Sequence, residues 1–324
     1  MKRVVIAGAS GFMGTYLRRS FEADGSTVVT VGRAASAPDV AWGDADGIRR
    51  AVSGADLVLN LAGRSVNRRY GPRNRDVILR SRTETTHELA DAVATADTPP
   101  ALWINSSTAT IYRHADDRPM TEATGELGSG FSVSVARAWE NAFFERDLPA
   151  TRRVALRTAI VLGDGSALIP LLRLARFGLG GPQLDGRWPA TRARRAAGTY
   201  HEFRTPGGRQ RFSWVHLADV DRAIRFIAEH PGLDGVINLS APHPTDNRTL
   251  MRILRRVVRM PIGIPTPRWM LELGSWAIRT ETELVLKSRW VVAERLTDAG
   301  FVFTYPELEP AVRAILDDSG DAVR

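Results

Sequence analysis

Gly8, Gly11 and Gly14 stand three apart, directly after the apolar run Val4-Val5-Ile6-Ala7 and at the start of a helical pattern. A strand–turn–helix of this kind can hold a pyrophosphate. Gly8 permits the tight turn, the bare backbone at Gly11 admits phosphate oxygens, and Gly14 lets helix and strand pack closely. The helix N-terminus adds free N–H groups and a partial positive charge. Gly8, Ser10, Gly11, Phe12, Met13 and Gly14 are therefore the expected cradle. A glycine pattern alone would also suit an ordinary turn, so the elements around it decide its meaning.

The end of the second strand bears on which dinucleotide binds. Sites that prefer NAD place an acid there for the ribose 2′-hydroxyl. This chain has Val31-Gly32-Arg33, with Ser36 nearby and no acid before Asp39. A guanidinium can fork onto the 2′-phosphate of NADP and a hydroxyl can assist, so Arg33 and Ser36 favour NADP over a solvated-loop reading. Asp44 suits either the adenine amine or a helix cap.

These residues need a parallel sheet to position them. Strands are expected at 3–7, 27–31, 56–60, 102–106 and 153–158, alternating with helices at 12–24, 46–52, 74–96 and 133–146. That alternation predicts an α/β fold, a Rossmann doubly wound parallel sheet. Beyond Gly163 come a helix at 168–177, a short strand at 212–216, a helix at 217–229 and a strand at 236–239. The expected organisation is a dinucleotide-binding domain over 1–163, rejoined by 212–240. A smaller, mostly C-terminal α/β substrate lobe takes 164–211 and 241–324.

The 324 residues carry a net charge of +8 and no cysteine, which excludes disulfide and thiolate chemistry. No apolar run approaches the roughly 20 residues of a membrane span. The N-terminal apolar run is too short for a signal peptide, so the expected location is cytoplasmic. Lys2 and Lys287 are the only lysines, every other basic side chain being arginine.

Further motifs follow in order: Asn60-Leu61-Ala62-Gly63, Ser106-Ser107-Thr108-Ala109-Thr110-Ile111-Tyr112 and Leu156-Arg157-Thr158-Ala159-Ile160-Val161-Leu162-Gly163. With the glycine turn, these resemble an extended short-chain dehydrogenase/reductase. Trp139-Glu140, the run Gly178-Leu179-Gly180-Gly181, the segment Ser213-Trp214-Val215-His216-Leu217-Ala218-Asp219 and Ala299 to Pro306 narrow the resemblance. They are similar to the NAD-dependent epimerase/dehydratase group that carries a C-terminal domain of unknown function. The resemblance spans nearly the whole chain. It implies that Asn60, Leu61, Ala62, Gly63, Ser106 and Ser107 also line the cofactor.

The resemblance further implies a Ser/Thr, a Tyr and a Lys four residues after it, which exchange a proton with the substrate oxygen. Thr108 fits the first place. Ser132 and Ala136 occupy the other two, and a shift by one residue gives Phe131 and Val135. With lysine only at positions 2 and 287, no lysine is expected near that helix, and the usual dyad is excluded. Tyr112 and His216 are the substitute acids to consider, against plainer readings as a pocket wall and a strand-closing residue with Asp219 as helix cap. His114 and His201 read as surface residues.

Arg187 to Arg211 holds seven arginines and one acid, Glu202, with Trp188, Tyr200 and Phe203 between them. Without a nucleic-acid module this argues against nucleic acid. It leaves a solvated loop, a contact with a second copy, or a cover over an anionic small-molecule substrate. Trp269, Leu273 and Trp276 share one helical face and read as core, a homodimer face being the other use of such a stripe.

The expectation is thus an NADP-binding oxidoreductase or epimerase with a carbonyl or hydroxyl substrate and an unusual acid/base. The alternative is a catalytically silent NADPH-binding sensor.

Overall fold

The computed structural model describes residues 1–166, 168–277 and 279–318. The first half builds β1 (Arg3–Ala7), β2 (Thr27–Gly32), β3 (Val40–Ala41), β4 (Leu57–Asn60), β5 (Leu102–Thr108) and β6 (Arg152–Thr158). With the later strand Gly235–Leu239 they form one seven-stranded sheet. Its order is Gly235–Leu239, β6, β5, β4, β1, β2, β3, every pair being parallel. Helices α1 (Phe12–Ala23), α2 (Ala45–Val52), α3 (Pro72–Ala94) and α4 (Phe131–Phe144) alternate with the strands.

A parallel sheet is covered on both faces, so its strands are apolar throughout rather than alternating. Accordingly Val4, Val5, Ile6 and Ala7 are all fully buried, and they divide between two cores. Val4 and Ile6 pack with Leu17, Phe21 and Ile224 on one face; Val5 and Ala7 pack with Ile48, Leu89 and Trp103 on the other. The chain reverses its winding direction between β1 and β4. That switch point places the glycine turn, the 60–63 segment and the end of β5 along one carboxyl edge, where such sheets take ligands.

The strand expected at 212–216 does not join this sheet. Trp214–His216 pairs in parallel with Ile160–Leu162, and Arg211–Phe212 pairs with Thr245–Asp246. Trp214, Leu162, Ile160 and Phe212 face a separate core of Leu168, Leu172, Leu250, Leu254 and Val312, while Val161 and Val215 pack on the core of the main sheet.

Helix Arg268–Ala277 reverses its expected orientation. Trp269, Leu273 and Trp276 are exposed, at 51%, 54% and 69%, while Arg268, Glu272 and Ser275 face inward. The inner face carries an ion network: Arg268 donates to Asp185 at 2.7 Å and to Glu272 at 2.9 Å, and Thr282 donates to Glu272 at 2.9 Å. Buried charges of this kind persist only when fully paired, and the pairing fixes the helix face. The same network corrects the surface reading of two histidines. His201 is buried 3.0 Å from Asp185, and His114, also buried, stacks on Phe203 with centroids 4.7 Å apart.

Candidate active site

Gly8 adopts φ +85°, and a Cβ there would lie 2.9 Å from the Leu61–Ala62 peptide. A Cβ on Gly14 would stand 2.4 Å from the Gly8 carbonyl oxygen. At Gly11 the nearest atom would be 3.4 Å away, again the Gly8 oxygen, so the protein itself leaves this position open. Gly11 caps α1 without a side-chain hydrogen bond, which leaves the first-turn N–H groups to a ligand. Phe12 is partly exposed beside Gly163, and Met13 packs on the core. The residues fit a pyrophosphate.

A groove of about 340 Å³ continues from the turn and is lined in part by Ala9, Ser10, Arg18, Arg19, Gly32 and Ser36. Arg33 is exposed at its rim, its side chain engaged with no other described residue. Ser36 donates to the Arg33 carbonyl at 2.7 Å, closing a short 3₁₀ turn. Asp39, the nearest downstream acid, is turned inward. The backbone N–H and the hydroxyl of Thr30 donate to it at 2.7 and 2.8 Å, holding its carboxyl below the usual range. Asp44 caps α2, accepting from the Gly47 N–H at 2.9 Å.

Behind the turn, Asn60 is wholly buried. Its Oδ1 accepts from the Ala62 N–H at 3.0 Å and its Nδ2 donates to Asn105 at 2.7 Å, which sets the course of Leu61-Ala62-Gly63. Ser106 is buried in β5, and Ser107 donates to Glu140 at 2.6 Å. Gly63 lies under the Arg82 guanidinium, which donates to the Arg64 and Ile78 carbonyls and covers the Trp139 ring.

At the end of β5, Thr108 is half-buried and its hydroxyl accepts from the Thr110 N–H at 3.1 Å. Beyond it, around Thr110 and the start of α4, the fold gathers Tyr70, Glu283 and Lys287, which the sequence reading missed, beside Ser132, which it named. Ser132, at the N-terminus of α4, donates to Glu283 at 3.0 Å and lies near the Tyr70 hydroxyl. Tyr70 packs edge-on against Phe131, with ring centroids 4.8 Å apart, and burial pushes its hydroxyl up to about 12. Lys287 donates to the Thr110 carbonyl at 2.7 Å, and burial lowers its ammonium to about 8. The expectation that no lysine approaches this helix is therefore corrected: position 287 is remote in sequence and close in space. Its rarity in an arginine-rich chain was the one available signal.

Tyr112 and His216 are not part of this group. Tyr112 is buried, donates to Asn238 at 2.8 Å and accepts from Arg157 at 3.0 Å. Arg157 in turn forks onto Glu140 at 2.7 and 2.8 Å. His216 caps the helix Leu217–Glu229, its Nδ1 accepting from Ala218 at 3.2 Å, and lies on Tyr305 at 4.0 Å. Burial holds its imidazole below the usual histidine value. Asp219 does not cap this helix but accepts from the N–H groups of Thr304 and Tyr305 at 2.7 and 2.9 Å.

The arginine-rich segment borders the site. Gly198 accepts from the Phe131 N–H at 2.8 Å, and Arg194 turns inward to Glu272 and Glu281 at 3.3 and 3.4 Å.

Comparison with known proteins agrees with this fold. Residues 4–135 match the NAD dependent epimerase/dehydratase family, and residues 266–315 match a domain of unknown function, DUF1731. The bovine epimerase family protein SDR39U1 is 28% identical over 323 residues, covering 97% of this chain and 99% of its own. The epimerase family protein YfhF of Bacillus subtilis is 26% identical, covering 97% and 98%. The crystal structure of human SDR39U1 with NADPH superposes with a TM-score of 0.80 at 26% identity, covering 98% of this chain and 99% of that one. Among the described residues no helix is long and apolar enough to cross a membrane. The chain is thus similar over nearly its whole length to epimerase family proteins, with the NAD dependent epimerase/dehydratase match in its N-terminal part and the DUF1731 match at 266–315.

Proposed function

We propose that this chain is an NADP(H)-dependent oxidoreductase or epimerase acting on a carbonyl or hydroxyl group of a small molecule, with Tyr70 as its acid. The grouping of Tyr70, Ser132 and Thr108 at the carboxyl edge of the sheet carries this reading. NADPH in the human relative supports the cofactor, as do the free Arg33 and the inward-turned Asp39. When bound, NADP(H) supplies hydride exchange at the substrate carbon.

The protein's own part is proton transfer and orientation. Tyr70 stays protonated at neutral pH and is set to donate to an oxygen that gains negative charge. Ser132 links its hydroxyl to the Glu283 carboxylate, and Thr108 is placed to hold the same substrate oxygen. The committed bonds of Tyr112 and the capping role of His216 favour Tyr70 over both.

The test is NADPH consumption across a panel of carbonyl compounds, with Tyr70→Phe, Tyr112→Phe and His216→Ala compared on any activity found. A loss of about 100-fold confined to Tyr70→Phe is expected. Full activity in Tyr70→Phe would reject the assignment. The second reading is a silent NADPH-binding sensor, favoured by Ser132 and Ala136 in the usual Tyr and Lys places; tight NADPH binding with no turnover on any carbonyl would select it.

A further inference from the structure

Two buried cations, Lys287 and Arg289, meet over Thr110, and the half-buried Arg82 of α3 is likewise held without a carboxylate. Lys287 donates to the Thr110 carbonyl at 2.7 Å, and Arg289 donates to the Thr110 hydroxyl at 3.1 Å and the Leu284 carbonyl at 3.1 Å. Arg82 bonds only the carbonyls of Arg64 and Ile78. Among the described residues none of the three forms an ion pair with a carboxylate. Two acids face the cluster: Glu283, bonded to Ser132, and Glu281, taken by Arg69 and Arg194. Burial lowers all three cations, Lys287 to about 8 and Arg82 to about 10.

A buried charge held only by neutral oxygens is costly, and an anion beside it removes that cost. Arg194 shows the contrast, since it reaches two carboxylates. Lys287 and Arg289 are themselves buried, while Thr108, Thr110, Ser132 and Glu283 beside them are only partly so.

We propose that Lys287 and Arg289, presented over Thr110, form a subsite for an oxyanion of the substrate, a carboxylate or a phosphate. The site stands on this geometry; that its occupant is a substrate rests on the oxidoreductase reading. Thr108 and Thr110 are two residues apart, so their Cα atoms are separated by at most roughly 7 Å and one small substrate can span both. The substrate is then a small carbonyl acid or a phosphorylated carbonyl compound.

Because Lys2 and Lys287 are the only lysines, protein carrying ¹³C at the lysine ε-carbons gives two assignable signals. Inorganic phosphate and, separately, oxalate are titrated into the full chain with and without saturating NADPH. The Lys287 signal should move saturably with at least one anion, under both conditions. Its titration midpoint should rise from about 8, with the Lys2 signal unmoved. Arg289→Gln should weaken that response at least tenfold. Which anion acts tells phosphate from carboxylate. No saturable shift with either anion overturns the subsite, and so does a shift abolished by NADPH, which would place the anion in the cofactor groove. Failure to bind NADPH, with the anion response intact, would sink the oxidoreductase reading and leave the subsite standing.

Discussion

Lys287 and Thr110 are 177 residues apart in the chain and 2.7 Å apart in the fold, the ammonium donating to a carbonyl in the short turn that follows β5. Nothing local requires this contact. It puts a lysine beside the helix on which the sequence offers none.

That burial has a pH signature. Lys287 titrates near 8 when folded and near 10.4 when unfolded, so the folded pKa is depressed. Below pH 8 both states hold the proton and the penalty is fully present. Between about 8 and 10.4 the unfolded state binds more protons, so stability rises with pH from this group. Lys287→Met should therefore stabilise the protein at pH 7, by at most roughly 3 kcal/mol less about 1 for the lost hydrogen bond. Urea unfolding from pH 7 to 10 measures it. A difference that does not shrink as pH rises contradicts the assignment.

Arg33→Ala should weaken NADPH binding about 10- to 100-fold, the worth of one charge-assisted contact to a phosphate, and leave NADH binding nearly unchanged. Parallel fluorescence titrations with the two cofactors decide this. Equal losses for both would mean that Arg33 does not face the 2′-phosphate.

The glycines of the turn should separate by experiment. Gly11→Ala has space within the protein and should unfold like the natural chain while losing NADPH affinity. Gly14→Ala drives a methyl into the Gly8 carbonyl and the Ala9 backbone, so stability itself should fall. Thermal melts with and without NADPH tell the two apart, and identical melting of both variants would refute the distinction.

The Tyr112 network should act on stability rather than on the cofactor. Glu140→Ala leaves the Arg157 charge buried and unpaired, a loss of about 3–5 kcal/mol. Tyr112→Phe removes only hydrogen bonds, roughly 1–2 kcal/mol. Denaturant unfolding gives both values, and a Glu140→Ala cost below that of Tyr112→Phe would refute the ranking.

Much of the frame was legible. The uninterrupted apolar strands and Gly8-x-x-Gly-x-x-Gly14 state a parallel sheet and its first turn through neighbours in sequence. Helix Arg268–Ala277 misled because its spacing shows only that one face is apolar. The ion network of Asp185, His201 and Arg268 turned that face outward, and it is assembled from three distant segments.

The sequence by itself determined the glycine cradle, the absence of an acid before Asp39 at the end of β2, and the loss of the Tyr-x-x-x-Lys pair from α4. Each is a matter of local backbone geometry and adjacent residue types. Only the tertiary structure decided that Lys287 and Arg289 meet over Thr110 and that Glu283 and Tyr70 come to Ser132. Such proximity comes from packing the C-terminal segment against the carboxyl edge of the sheet, and periodicity within an element carries no record of what will be packed against it.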